Sequence, residues 1–216
     1  MKYEKILCHV DHTLLAQTAK LEEVRQLFDE AVQFGAAAVC IPPCFVTLGH
    51  EYLQKKMKIC TVIGFPNGYS TSKNKVMETA EAISQGADEI DMVINLGMVK
   101  DKRYNDIKNE IVSVKSVCGQ SVLKVIVENC YLTEEEKRKM CQIVAQSGAD
   151  YIKTSTGFGT GNATFEDVAL FAECLKGTGV KIKAAGGIKT FEDAQRFLDL
   201  GADRLGSSSL IKSLVK

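Results

Sequence analysis

Apolar residues recur three and four positions apart in four long segments of the chain, and this spacing predicts four amphipathic helices. The predicted helices cover residues 21–34, 74–85, 134–146 and 191–200. A Gly-Ala pair follows each helix, and the glycine suits a helix C-terminus because the backbone there needs a positive φ. A short apolar run comes next in each case, within FGAAAVCI, QGADEIDMVI, SGADYIKTS and LGADRLGSS. The chain therefore repeats a helix–turn–strand unit.

Four further apolar runs lie between these repeats and are typical of strands: KILCHVDHT (5–13), KICTVIGF (58–65), VLKVIVEN (122–129) and VKIKAAGG (180–187). About eight strands thus alternate with helices, and this alternation indicates a parallel sheet with helical crossovers. Eight units of about 25 residues without a linker predict an α/β fold, a (β/α)8 TIM barrel that residues 1–216 form as a single domain. An open doubly wound sheet is the alternative, although no GxGxxG motif follows the first predicted strand.

Composition narrows the class of protein. The 27 basic and 27 acidic residues cancel, so we expect no nucleic acid partner. No apolar run approaches the roughly 18 residues of a membrane-spanning helix. The beginning of the chain lacks the apolar core of a signal peptide, and we therefore expect a cytoplasmic location. The eight cysteines are scattered singly, without CxxC or HExxH motifs, which predicts free thiols and no metal site.

Strand alternation predicts which side chains point into the barrel. Helix-facing apolar residues on six of the predicted strands leave an inward set that includes Asp11, Cys40, Asp91, Lys124, Glu128, Lys153, Lys181 and Lys183. The same argument turns His12 outward, as a structural residue. A purely structural interior would hold branched apolar side chains, because buried charge is costly unless it is paired. We therefore interpret the inward charges as an active site, with a structural ion-pair cluster as the alternative.

Two lysines on neighbouring strands indicate a particular chemistry. An amine attacks a carbonyl group only when it is neutral, and burial beside another cation favours the neutral form. Lys153 and Lys183 could each play either part, and Asp91 could carry protons between intermediates. The three residues together predict an enzyme that forms a Schiff base with an aldehyde or ketone.

Two glycine- and serine-rich loops predict an anion site. AAGGIKT (184–190) ends the seventh predicted strand, and GSSSL (206–210) follows the eighth and opens a last helix. Barrels often bind phosphate with these two loops. The predicted donors are the backbone N–H groups of Gly186, Gly187, Ser208 and Ser209. The alternative is that the glycines only shape turns and a serine caps a helix.

The motifs in combination resemble the deoxyribose-phosphate aldolase family of class I aldolases over nearly the whole chain. The resemblance rests on DHTLL (11–15), AAVCIPP (37–43), VIGFPNG (62–68), GADEIDMVINLG (86–97), KVIVEN (124–129), IKTSTGFGTGNAT (152–164), KIKAAGGI (181–188) and GSSSL (206–210). It implies a barrel that reversibly cleaves 2-deoxy-D-ribose 5-phosphate to acetaldehyde and D-glyceraldehyde 3-phosphate. The expected partners are therefore this sugar phosphate and the two aldehydes, with no metal or organic cofactor. A homodimer and a role in deoxynucleoside catabolism are further expectations from the family.

The resemblance also implies roles for individual residues. Lys153 matches the lysine that forms the Schiff base, Lys183 the second lysine that favours its neutral form, and Asp91 the proton-transfer acid. Asp11 and Thr13 are expected to flank this proton-transfer acid. The positions expected near the phosphate and the hydroxyl groups of the substrate are Thr156, Gly157, Gly186, Gly187, Ser208 and Ser209. Cys40 is a further substrate-binding candidate, and a structural thiol is the alternative. Phe158 departs from the pattern, since some members carry a phosphate-contacting lysine there.

Two other functions fit the same motifs. One is a different Schiff-base barrel, such as a transaldolase-like enzyme, from which the motifs IKTSTG and KAAGG distinguish this chain. The other is a non-catalytic protein that binds a sugar phosphate on a decayed barrel. The intact set of Asp91, Lys153 and Lys183 speaks against the second.

Overall fold

Eight parallel strands close into a barrel in the computed structural model of the chain, which describes residues 3–215. The strands follow one another around the barrel in chain order, and β1 pairs with β8 to close it. Their bounds are β1 Val10–Thr13, β2 Ala38–Ile41, β3 Ile59–Ile63, β4 Glu89–Val93, β5 Val122–Ile126, β6 Tyr151–Lys153, β7 Lys181–Ala185 and β8 Arg204–Ser207. The predicted (β/α)8 barrel is confirmed, and the open doubly wound sheet is wrong.

Helices connect the strands around the outside of the barrel. They are α1 Glu4–Leu7, α2 Leu21–Phe34, α3 Val46–Leu53, α4 Ser72–Ser84, α5 Leu96–Lys100, α6 Tyr104–Cys118, α7 Glu134–Ala145, α8 Phe165–Cys174 and α9 Phe191–Asp199. Short 3₁₀ helices lie at Pro43–Phe45, Asn129–Tyr131 and Lys212–Leu214. The main apolar core lies between strands and helices, where Phe28 of α2 and Ile90 of β4 are fully buried. It fixes the strands that carry the inward-facing side chains.

The beginning and the end of the chain differ from the prediction. The first strand covers only the second half of the predicted segment 5–13, because the helix α1 precedes it. Ile6 and Leu7 of this helix are both buried. The helix predicted after the serine-rich loop is only the 3₁₀ turn at Lys212–Leu214.

Two expectations about the class of protein can be compared with the structure. No helix among residues 3–215 is both long and apolar enough to cross a membrane. All eight cysteines are free thiols, as predicted.

Candidate active site

Seven charged side chains meet inside the barrel, where an inert core would hold apolar groups. They come from six strands and comprise the carboxylates Asp11, Glu89 and Asp91 and the cations Lys124, Lys153, Lys183 and Arg204. Six of them are at least 97% buried, and Arg204 is partly buried. We call this set the charge cluster. The alternation of inward and outward side chains along the strands predicted five of its members.

Asp91 lies at the centre of the charge cluster. Its Oδ2 accepts hydrogen bonds from Lys153 Nζ at 2.8 Å and from Lys183 Nζ at 2.7 Å. Its Oδ1 accepts one from Lys124 Nζ at 2.9 Å. Three ammonium groups therefore share one carboxylate, and a proton leaving any of them has an acceptor within hydrogen-bond distance.

The second carboxylate, Asp11, connects two other cations. Lys183 Nζ donates to its Oδ2, and Arg204 donates to its Oδ1 at 2.6 Å. Glu89 completes the network, because it pairs with Lys124 at 2.6 Å and with Arg204 at 3.2 Å. Each buried carboxylate thus contacts at least two cations, which is the pairing that buried charge requires.

The charge cluster shifts the pKa values of its members apart. Burial alone would raise the pKa of Asp91, but Lys124, Lys153 and Lys183 hold it well below its usual range. Burial would also raise the pKa of Asp11, but the cations around it lower this pKa to about 2. Burial would lower the pKa of Lys183, yet Asp11 and Asp91 raise it above its usual value. At neutral pH the two aspartates are therefore carboxylates, and Lys183 is a cation.

Lys153 differs from the other cations in its access to solvent. A cavity of about 440 Å³ opens at the C-terminal ends of β1 and β6–β8, and Lys153 is the member of the charge cluster that lines it. Lys153 keeps 3% of its surface exposed, whereas Lys124 and Lys183 are fully buried. A molecule in the cavity can reach the Lys153 amine, while the rest of the charge cluster lies beneath that amine.

The other side of the cavity carries the loops predicted to bind an anion. The loops after β7 and β8 line it with Gly186, Gly187, Ser208 and Ser209, all four of which were predicted. Within the described residues, no hydrogen bond uses the N–H groups of Gly186, Gly187 or Ser208. The N–H group of Ser209 instead donates to Ser207 Oγ at 3.2 Å. Three of the four predicted N–H donors are therefore free to bind an anion.

The loop after β6 is held in place from below by Glu128. The Thr156 hydroxyl and N–H group both donate to the Glu128 carboxylate. Thr156 Oγ1 in turn accepts from the N–H group of Phe158 at 3.0 Å. Thr156, Gly157 and Phe158 consequently line the cavity next to Lys153. The predicted inward residue Glu128 therefore binds Thr156 of this loop. Lys124 does not pair with it and contacts Glu89 and Asp91 instead.

Several other sequence predictions can be compared with the structure. Thr13 lines the cavity, and its hydroxyl donates to the backbone carbonyl of Asp11. Cys40 faces the interior in an apolar group with Cys60 and does not line the cavity itself, although Leu15, which packs against this group, does. His12 is buried on the outer face and contacts Glu30 at 2.7 Å, as a structural residue. Lys181 shares a face of β7 with Lys183, but it is the first residue of the strand, where the barrel opens to solvent, so its side chain is exposed and stays outside the charge cluster. Its Nζ lies 5.8 Å from the centroid of the Tyr151 ring.

The sequence reasoning missed four residues of the site. Glu89 and Arg204 belong to the charge cluster, and Asn162 and Lys189 line the cavity. A signal existed for Glu89, which is two residues before Asp91 on the same strand and therefore shares its face. Arg204 follows the same Gly-Ala-Asp as Glu89, at the start of its own strand. The loop residues Asn162 and Lys189 follow no strand alternation, and only the fold brings them to the cavity.

Two groups of side chains have the residue types of a metal site, and they share Cys60: one adds Cys40 and Asp91, the other Asp11 and Glu89. The ligand atoms of each group lie within 4.8 Å of one another. The carboxylates of both groups already pair with lysine or arginine cations. A divalent cation at either position would face these cations at short range, and neither group fits a metal.

Comparisons with known proteins identify the family of this chain. The sequence matches the family described as DeoC/LacD family aldolase over residues 5–213. It is 55% identical over 209 residues to the deoxyribose-phosphate aldolase of Clostridioides difficile, with 97% of this chain and 95% of that protein covered. A relative of the same name from Streptococcus agalactiae is 54% identical over 212 residues, with 98% and 95% covered.

Solved structures show the same fold. A tetrameric deoxyribose phosphate aldolase from Aeropyrum pernix superposes with a TM-score of 0.91 at 29% identity, and the match covers 98% of this chain and 92% of that one. The family match spans every member of the charge cluster and both phosphate-side loops. The chain therefore belongs to the DeoC/LacD family of aldolases.

Proposed function

We propose that the protein is a deoxyribose-phosphate aldolase that acts through a Schiff base on Lys153. The observation that carries the proposal is the position of the Lys153 amine at the junction of the cavity and the charge cluster. In the cleavage direction, this nitrogen attacks C1 of 2-deoxy-D-ribose 5-phosphate, and water leaves the carbinolamine. The bond between C2 and C3 then breaks, which releases D-glyceraldehyde 3-phosphate and leaves the two-carbon enamine on the lysine.

Lys153 has fewer carboxylate partners than the other cations of the charge cluster. Lys124, Lys183 and Arg204 each contact at least two carboxylates, whereas Lys153 contacts Asp91 alone. Lys153 is therefore the cation whose nitrogen can turn to a substrate with the loss of one ion pair.

Asp91 is the group that can move protons at the reacting nitrogen. Its Oδ2 is 2.8 Å from Lys153 Nζ, within the reach that proton transfer needs. Because its pKa is lowered, it begins as a carboxylate and accepts a proton before it donates one. Lys183 holds the other side of the same oxygen at 2.7 Å, so the acceptor stays in place during the reaction.

The phosphate of the substrate would lie against the loops after β7 and β8. The N–H groups of Gly186, Gly187 and Ser208 are the proposed donors, and Lys189 at the same cavity wall supplies a positive charge. Thr13, Thr156 and Gly157 would then face the sugar between the phosphate and Lys153. This arrangement separates the binding of the phosphate from the chemistry at C1.

The wider setting of the enzyme is part of the proposal. A homodimer is our expectation, and the tetrameric relative from Aeropyrum pernix is an alternative assembly. The free state of all eight cysteines supports a cytoplasmic location. Cleavage of 2-deoxy-D-ribose 5-phosphate would serve the degradation of deoxynucleosides.

A substrate comparison tests the proposal. The protein should release acetaldehyde from 2-deoxy-D-ribose 5-phosphate, and release from unphosphorylated 2-deoxy-D-ribose should be slower at equal concentration. Lys153→Met should show no release while it still gains thermal stability from the sugar phosphate. If the wild-type protein gains this thermal stability but releases no aldehyde, the non-catalytic binding function replaces the proposal.

A further inference from the structure

Two cysteines face each other inside the barrel, next to the proposed proton relay. Cys40 and Cys60 are paired in the register of β2 and β3, and both are buried. Their Sγ atoms lie within 4.8 Å of each other. Neighbouring strands are about 4.8 Å apart, which falls within the Cα separation that a disulfide spans. The thiols can therefore bridge without a large movement of the strands.

Cys60 also contacts the charge cluster directly. Its thiol donates to Asp91 Oδ1 at 3.2 Å, and its sulfur accepts from Lys124 Nζ at 3.3 Å. A bridge to Cys40 would remove the Cys60 S–H group and leave Asp91 without one of its donors. Oxidation of the cysteine pair thus changes the hydrogen bonding of Asp91, the carboxylate that contacts Lys153.

The two thiols are also unequal in reactivity. The neighbouring Cys60 lowers the pKa of Cys40, with a further contribution from Lys183 against the effect of burial. Burial raises the pKa of Cys60. Thiolate is the form that reacts with peroxide, so Cys40 is the first to be oxidised and Cys60 is the thiol that resolves it.

A small oxidant has a route to the pair. Leu15 and Phe65 pack over the apolar group that contains both cysteines. These two residues, with Val62, line a second cavity of about 470 Å³ that opens beside the first. Hydrogen peroxide in this cavity contacts side chains that pack directly against the group containing Cys40.

We propose that Cys40 and Cys60 form a reversible disulfide that switches off the aldolase, a modification that rests on the proposed function for its consequence. The Cys40 thiolate attacks hydrogen peroxide, the O–O bond breaks, and a sulfenic acid and hydroxide result. The Cys60 thiol then attacks the sulfenic sulfur, the S–O bond breaks, and water leaves as the S–S bond forms. Two thiols are oxidised and one peroxide is reduced to water.

The experiment uses the full chain with its three exposed cysteines replaced, Cys8→Ser, Cys44→Ser and Cys130→Ser. The protein is treated with hydrogen peroxide, then mapped by mass spectrometry without reduction and assayed for aldehyde release. We expect a linked peptide pair containing Cys40 and Cys60, lighter by two hydrogen atoms. Activity should fall at least about 10-fold, because a proton-transfer group is disturbed, and return with dithiothreitol.

A matched variant distinguishes the bridge from simple oxidation. Cys60→Ala in the same background cannot form the bridge, so further peroxide should oxidise the Cys40 sulfenic acid to the sulfinic and sulfonic acids, which dithiothreitol does not reduce. The map should then show Cys40 heavier by two or three oxygen atoms and no linked pair. The proposal is overturned if peroxide leaves Cys40 and Cys60 unlinked in the map, or if the linked protein keeps full activity. The peptide map does not depend on turnover. If the protein shows no aldehyde release even before oxidation but still forms the linked pair, the proposed function is contradicted and the modification site stands.

Discussion

Lys153 and Lys183 are neighbours in the barrel register, yet their surroundings are different. Lys183 contacts two carboxylates and is fully buried, whereas Lys153 contacts one and lines the cavity. The sequence left the two roles open because both lysines share the same inward face of adjacent strands. The difference arises from Asp11 on β1, whose approach to Lys183 depends on closure of the barrel.

The unequal surroundings predict unequal variants. Lys153→Met should have no activity at any pH, because the reacting nitrogen is gone. Lys183→Met should lose most of its activity but keep a measurable remainder, because Asp91 Oδ2 loses the donor at 2.7 Å that holds it beside Lys153 while the reacting nitrogen stays. The measurements are kcat and the adduct trapped by borohydride, which should form on Lys153 in Lys183→Met and be absent from Lys153→Met. Equal activity of the two variants, or an adduct in Lys153→Met, would contradict the assignment.

Lys189 is predicted to recognise the phosphate. Lys189→Ala should raise KM for 2-deoxy-D-ribose 5-phosphate about 10- to 100-fold, since a hydrogen bond to a charged group contributes about 1.5–3 kcal/mol. It should leave the slow reaction of unphosphorylated 2-deoxy-D-ribose unchanged. Lys176→Ala, an exposed lysine at the other end of β7, is the control and should change neither value. An equal effect of Lys189→Ala on both sugars would show that it does not contact the phosphate.

At the scale of elements, the loop after β7 needs glycine for two reasons. Gly187 has a φ of +76°, and a Cβ there would lie 2.9 Å from Asn162 Cβ. Gly177, in the loop before β7, has a φ of +81° with nothing within 4 Å of a Cβ. The two positions share the backbone strain of a left-handed residue, and only Gly187 adds a steric conflict at the cavity.

Substitution of Gly187 and of Gly177 by alanine separates backbone strain from an effect on the cavity. Gly187→Ala and Gly177→Ala should each cost about 1–2 kcal/mol of unfolding free energy through backbone strain. Only Gly187→Ala should also raise KM for the sugar phosphate, by about 10- to 100-fold, because it displaces the loop that holds the phosphate. Urea unfolding and steady-state kinetics measure the two effects. A similar KM for both variants would remove this loop from the phosphate site.

Elements were predicted well where a periodic pattern continued for several residues. The helix α2 has the predicted bounds 21–34, since its apolar stripe is long and Gly35 ends it at a φ of +66°. The first strand was predicted too long because Ile6 and Leu7 are apolar in a segment too short to distinguish a helical turn from a strand. Short apolar segments take their conformation from packing that the local sequence does not contain.

At the scale of the whole molecule, closure of the barrel brings Asp11 of β1 to Lys183 and Arg204 of β7 and β8. The alternating pattern predicted the barrel and the inward charges, and we infer that residues 1–216 form one domain. The partners within the charge cluster could not be read from the pattern, because they join residues up to 193 positions apart. The position of loop residues such as Asn162 in the cavity could not be predicted from the pattern either.

This closure predicts a dependence of stability on acid. The pKa of Asp11 is about 2 in the folded protein, below its unfolded value of about 3.9. Asp11 therefore stabilises the fold at pH above about 4, and about 2 kcal/mol is lost as the pH falls towards 2. Asp11→Asn should show a smaller loss of unfolding free energy between pH 4 and pH 2. Asp199→Asn, an exposed carboxylate on α9, should behave as wild type.

The acid dependence is measured by urea unfolding at several pH values. If Asp11→Asn loses as much stability as the wild type over this range, Asp11 is not held ionised by Lys183 and Arg204. The charge cluster would then need a different distribution of protons from the one proposed.

The central claim is that Lys153 forms the Schiff base, and borohydride trapping tests it most directly. The protein is incubated with acetaldehyde and sodium borohydride, then analysed by intact mass and peptide mapping. We predict a single two-carbon adduct on Lys153, absent from Lys153→Met. An adduct on Lys183 would exchange the roles of the two lysines, and the absence of any adduct would contradict the Schiff-base mechanism.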